Sequence, residues 1–154
     1  MELSHINDEG RARMVDVTEK AETYRTATAA ATVNVAPETM QIIRTGGIKK
    51  GDVLAVAQVA GIMAAKKTSD IIPMCHPLML SSVDIHVDLT DTEIHIEATV
   101  KCTGSTGVEM EALTAASTAA LTVYDMCKAV QRDITITDVM LLYKDGGKSG
   151  EFTR

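Results

Sequence analysis

The sequence predicts an α+β domain, and three observations predict it. Four segments alternate polar and apolar side chains with the period of a strand. Two longer stretches are apolar and uncharged over three turns or more, which is a helical length. The strands do not simply alternate with helices: two of them fall together in mid-chain, joined by a tight turn.

Taken in order, residues 1–22 carry mixed charges (Asp8, Glu9, Arg11, Arg13, Asp16, Glu19, Lys20) and no sustained period. They are expected to form a mobile arm ahead of a single domain over 23–154, with Met14 to Val17 as the arm's one candidate ordered patch. Thr26 to Val35, T-A-T-A-A-A-T-V-N-V, largely alternates and predicts the first strand. Pro37 opens a short helix over 38–44, and Gly46-Gly47 closes it. Lys49-Lys50-Gly51-Asp52 leads into a second helix from Val53 to Ala65, where Gln58 is the only polar residue; burial on several sides is expected. Lys66-Lys67 end this helix and Thr68-Ser69-Asp70 break it. In I-I-P-M-C-H-P-L-M-L, residues 71–80, Pro73 and Pro77 stand too close to share a regular element. That stretch predicts a rigid apolar loop holding Cys75 and His76.

Ser82 to Leu89 and Ile94 to Cys102 alternate cleanly around T-D-T-E and predict a hairpin, with His86 and His95 on its polar, exposed faces. T-G-S-T-G, residues 103–107, feeds a helix from Thr106 to Val130 of about seven turns. Glu109 and Glu111 near its start and Lys128 near its end suit the helix macrodipole. Leu113, Ala116, Ala120, Val123, Cys127 and Val130 make an apolar stripe. The opposite face offers Thr114, Ala115, Thr118, Leu121 and Thr122, and no residue from Ala112 to Tyr124 is charged, so burial all round is expected, one side on a sheet and the other against a second subunit. A last strand, Ile134 to Tyr143, precedes a soluble tail, K-D-G-G-K-S-G-E-F-T-R. Merging the two early helices into one crossover gives β-α-β-β-α-β, the ferredoxin-like pattern with an extra helix. Its antiparallel four-stranded sheet carries helices on one face, and the other face invites oligomerisation.

Composition narrows the function. The chain has 154 residues, 45% hydrophobic and 23% charged, enough for a packed core. With no Trp, one Phe and three Tyr it lacks platforms for stacking bases, and its net charge of −6 also argues against nucleic acid. An anionic small molecule stays open, because lysine clusters act locally inside an acidic protein. Cys75, Cys102 and Cys127 are an odd set without framework spacing, and M-E-L-S-H-I-N has no basic region followed by an apolar run. No apolar run approaches the roughly 18 residues of a membrane span. A reduced cytoplasm is expected.

Asp125 falls on the charge-poor helix face with Lys128 three residues on. On a buried helix this is a structural ion pair or a catalytic pair, the latter needing an amine whose pKa burial lowers; spacing does not decide. In Met74-Cys75-His76, Cys beside His is not metal-ligand spacing, and no metal is expected. Lys49, Lys50, Lys66, Lys67, Lys144 and Lys148 are solvated charge or anion contacts. T-G-S-T-G lies ahead of a helix N-terminus, where backbone N–H groups suit phosphate, but no Gly-Lys-Ser/Thr ends it as in a Walker A loop. Glu111 and Asp125 are about 21 Å apart along the helix axis. One small pocket in one subunit can hardly use both ends, so if both matter the site is assembled between subunits.

K-K-G-D-V, A-K-K-T-S-D-I-I-P-M-C-H-P-L-M-L, T-G-V-E-M-E-A-L-T-A-A-S and the following helix through Y-D-M-C-K-A-V, and the closing K-D-G-G-K-S-G closely resemble the cyclic pyranopterin monophosphate synthase family, the molybdenum cofactor biosynthesis protein C family. The resemblance runs from about Ser4 to Gly150. It implies a ferredoxin-like subunit in a homohexamer, a trimer of dimers, with active sites at the dimer interface. The implied substrate is 3′,8-cyclo-7,8-dihydroguanosine 5′-triphosphate, made by a partner radical enzyme, and the products are cyclic pyranopterin monophosphate and pyrophosphate. By the same resemblance Asp125 matches the catalytic acid, and Lys128 and Lys50 the catalytic lysines. Met74-Cys75-His76 and Met110-Glu111 match substrate-binding positions, with Glu109 beside them. No cofactor is expected. Without the resemblance, a ligand-binding regulatory module and a structural oligomerisation domain remain as readings.

Overall fold

The computed structural model describes residues 4–154, in which β1 is Thr23–Asn34, α1 Pro37–Arg44, α2 Val53–Lys66, α3 Thr68–Ile71, β2 Leu80–Leu89, β3 Glu93–Gly104, α4 Glu109–Cys127, β4 Thr135–Asp145 and β5 Phe152–Thr153. The strands form one antiparallel sheet in the order β2-β3-β1-β4-β5, so the fold is α+β with five strands rather than four.

The extra strand comes from the segment expected to be a soluble tail. Gly146 and Gly147 both have positive φ, 100° and 78°, and turn the chain back on itself. A Cβ at Gly146 would collide with the Tyr24 carbonyl, so glycine is required there. The returning chain pairs Phe152 with Lys144 and Thr153 with Tyr143, and Arg154 Nε donates to the Leu141 carbonyl at 2.8 Å.

Alternation in β1 and β3 builds the inner face of the sheet. Ala27, Ala29, Ala31 and Val33 pair with Val100, Ala98, Ile96 and Ile94, and all eight are buried. Small residues on β1 meet small residues on α4, where Ala112, Ala115, Ala116, Ala119 and Ala120 are fully buried. Short side chains on both sides let the helix lie close to the sheet. α2 packs beside α4 at Gly61, where an added Cβ would sit 3.0 Å from the Ala115 carbonyl oxygen and 3.1 Å from Ile85 Cδ1. The core therefore lies between one sheet face and these two helices. The other face carries polar residues such as Thr28, Thr99, His86 and His95, the two histidine side chains 65% and 44% exposed.

Several expectations change in detail. α4 is shorter than the span read from the sequence: it starts two residues after Gly107, and residues 128–130 turn away from it. Ala115 belongs to its buried stripe, Leu113 is half-buried and Val130 is exposed. Neither long helix is buried all round within one chain. Val56, Val59 and Met63 of α2 and Leu121 of α4 are each at least 43% exposed. Thr68-Ser69-Asp70 breaks α2 but forms its own turn, α3, because the buried Thr68 hydroxyl donates to the last α2 carbonyls, Ala64 and Ala65. In the N-terminal segment no residue from 4 to 22 is buried; of the patch Met14 to Val17, Val15 and Val17 are half-buried and Met14 is exposed.

Candidate active site

Three of the predicted residues meet at the C-terminal end of α4. A turn closed by the Gly51 N–H to the Ile48 carbonyl, followed by α2 capped on the Asp52 side chain, presents Lys50 to that end. Lys50 Nζ donates to Asp125 Oδ2 at 2.8 Å and to the Asp125 carbonyl at 2.9 Å, an orphan acceptor of the last helical turn. Lys128 Nζ donates to Asp125 Oδ1 at 2.7 Å. Both carboxylate oxygens are thus occupied by ammonium groups. The Lys128 hydrogen bond, then that of Lys50, holds the Asp125 carboxyl down to about 2. The same bond from Asp125 raises the Lys128 amine. The catalytic reading of this pair needs an amine lowered by burial, and the structure shows the opposite sign: in one chain the three side chains are about half exposed, and a neighbouring anion dominates.

The other six meet at the N-terminal end. Met74, Cys75 and His76, from the loop before β2, and Glu109, Met110 and Glu111, from the first turn of α4, line one cavity of about 280 Å³. Glu111 is only 4% exposed, and burial pushes its carboxyl up, aided by Glu109. Burial and the Glu111 charge push the Cys75 thiol up, which disfavours the thiolate a nucleophile needs. His76 Nε2 stands 2.6 Å from the Val15 carbonyl. Among the described residues no group of three or more His, Cys, Asp or Glu is gathered around a metal-sized point.

A second cavity, of about 820 Å³, adjoins the first and shares Lys20, Thr106, Gly107 and Glu109 with it. Its cations are Lys20, Arg25 and Lys148. Arg25 donates from Nε to the Gly104 carbonyl and from Nη2 to the Ser105 carbonyl, both at 3.3 Å, and packs over Gly147. This guanidinium tethers the T-G-S-T-G loop. It escapes motif reading, although it is the one charged residue between Thr23 and Val35. Val108 caps α4 without a side-chain bond beside these cavities. Lys66 and Lys67 line neither cavity.

The nine predicted residues therefore form two groups at opposite ends of one helix, about 21 Å apart by the helical rise between Glu111 and Asp125. The sequence model of the MoaC family matches residues 14–147. The chain is 61% identical over 156 residues to the cyclic pyranopterin monophosphate synthase of Thermoanaerobacter pseudethanolicus, covering 100% of this chain and 99% of that protein. It is 59% identical to the enzyme of that name from Peptoclostridium acidaminophilum over 100% of this chain and 98% of the other. For Clostridium acetobutylicum the figures are 58%, 99% and 96%. The match spans both residue groups and nearly the whole length of each relative, and the chain belongs to the MoaC family of enzymes.

Proposed function

We propose that this chain converts 3′,8-cyclo-7,8-dihydroguanosine 5′-triphosphate to cyclic pyranopterin monophosphate with release of pyrophosphate, an early step of molybdenum cofactor biosynthesis. The observation that carries the reading is the Asp125 carboxylate gripped between the ammonium groups of Lys50 and Lys128, on a chain about 60% identical to synthases over its full length. The reaction opens and rebuilds a ring, which needs proton transfers. It then closes a cyclic phosphate: a hydroxyl attacks the α-phosphorus, its proton goes to a base, and the bond to the β-phosphate oxygen breaks. Lys128 is the proton donor or acceptor and Asp125 orients it. Lys50 offsets charge developing on the phosphates. Met74, Cys75, His76, Met110 and Glu111 hold the fused-ring head, with Glu109 beside them.

Because the two groups stand at opposite ends of α4, the working site is built where two copies meet, each giving one end. The uncharged outer faces of α2 and α4 suit that contact, within a homohexamer of three dimers in the cytoplasm. The order β2-β3-β1-β4, antiparallel throughout, supports a ferredoxin-like unit extended by β5. Pyrophosphate release from the cyclic triphosphate tests the reading. Wild type releases it; Lys128→Ala and Asp125→Asn, with assembly verified, lose about 10²–10⁴-fold in turnover. Binding without release by wild type makes this a ligand-binding module instead.

A further inference from the structure

The N-terminal segment crosses the cavity described above. Its Ser4, His5, Val15, Val17 and Lys20 line the cavity together with Cys75, His76 and Glu111. Glu19, Lys20 and Ala21 also line the larger neighbouring cavity, so the segment borders both. With the segment in place the smaller cavity, about 280 Å³, falls at the lower edge of small-molecule sites, which run from about 300 Å³ upward.

The segment is lightly held. No residue from 4 to 22 is buried. Its hydrogen bonds run within itself: Asn7 Oδ1 accepts from the Glu9 and Arg11 N–H groups, Arg13 N–H donates to the His5 carbonyl, and Asp16 accepts from Thr18. Among the described residues its one hydrogen bond to the rest of the domain joins His76 Nε2 to the Val15 carbonyl at 2.6 Å. A carbonyl only accepts, so Nε2 carries the hydrogen; in the neutral form of the ring the lone pair is then on Nδ1. A segment with so little buried surface opens at low cost, as lids do.

We propose that residues 4–20 are a strap that lifts to admit the ligand, reseats over it, and through the Val15 carbonyl fixes His76 as the Nε2–H tautomer. The proposal rests on the function read above and deepens it. With its N–H committed to the strap, the ring offers an acceptor at Nδ1, which matches the ring N–H and amino groups of a guanine-derived head. The strap is a positioning element; it supplies no group to the reacting atoms.

Trypsin cleavage after the exposed Arg11 and Arg13, followed by mass spectrometry of the full-length protein, reads the strap directly. In ligand-free protein His76→Ala should be cut about tenfold faster than wild type, tracking the population of the open strap, while His76→Gln, whose amide still donates to Val15, stays slow. Saturating cyclic triphosphate on the turnover-deficient Lys128→Ala chain should slow cleavage several-fold. In Val15→Asp/Val17→Asp, which unseats the strap without touching a buried residue, KM should rise about tenfold with a smaller fall in kcat. Equal cleavage of wild type and His76→Ala, faster cleavage with ligand, or an unchanged or lowered KM overturns the strap. Should wild type release no pyrophosphate, the function fails, yet the ligand-free comparison still tests the bond to His76.

Discussion

At the scale of single residues, the chemistry turns on how neighbours move protons. Asp125 has its carboxyl held down to about 2 against an ordinary 3.8, so the ion cluster stabilises the fold above about pH 4 and that contribution is lost as pH falls through 2. Lys128 is raised, so its contribution is full below 10.5 and is lost only as pH rises through its higher folded value. A carboxyl-carbon NMR titration should place Asp125 near 2 in wild type, and Lys128→Ala should move it up further than Lys50→Ala, because the Lys128 hydrogen bond is the larger cause. Glu111 has the opposite sign. Its carboxyl is raised by burial, so charging it costs stability as pH rises from 4.5 through the folded value. Glu111→Gln should therefore gain in Tm over wild type at pH 7 and lose that gain at pH 4. Spacing in the sequence exposed the Asp125–Lys128 pair, since Lys128 caps the helix three residues after Asp125. The arrival of Lys50, 75 residues away, follows from tertiary packing and was legible only through resemblance. Arg25 was illegible because its partners are main-chain carbonyls, which no side-chain motif encodes.

At the scale of elements, patterning was reliable where one side chain period dominated. The ends of β1, β2, β3 and β4 all fall within three residues of the predicted ones, because alternation reports burial and burial fades gradually at strand ends. β5 was missed for the converse reason: its two residues are too short to show a period, and it exists because Gly146 and Gly147 accept positive φ. The charge-free length of α4 was legible, and so were Ala116 and Ala120 in its buried stripe; Ala115 was set on the opposite face, since alanine and threonine differ little in pattern. The contact between α2 and α4 makes a testable claim. Gly61 is helical, so Ala would gain up to about 1 kcal/mol of propensity, but its Cβ would meet the Ala115 carbonyl at 3.0 Å and Ile85 at 3.1 Å. A main-chain carbonyl in a packed helix yields little. Gly61→Val, which adds two methyls at the same point, should lower unfolding free energy by about 1–3 kcal/mol in urea melts, with Ser117→Ala on the half-buried face of α4 staying within about 0.5 kcal/mol.

At the scale of the whole molecule, the decisive fact is the length of α4. Its two ends carry the two groups of predicted residues, and a rigid helix cannot bring Glu111 and Asp125 closer than about 21 Å. If a site uses both, each copy must lend one end to its neighbour, and a two-fold contact then builds two sites per pair, each with a His76–Glu111 group from one copy and a Lys50–Asp125–Lys128 group from the other. This predicts complementation. His76→Ala and Lys128→Ala chains, each inactive alone, are dissociated, mixed in equal amounts and reassembled. In a mixed pair one site collects both substitutions and the other collects neither. Random pairing makes half the pairs mixed, so pyrophosphate release should return to roughly a quarter of the wild-type rate. Sites contained within single chains have no such route, and a mixture no more active than its parts would show that each chain works alone. The same experiment separates this arrangement from a merely structural role for Asp125 and Lys128, because an ion pair that only holds copies together has no activity to restore.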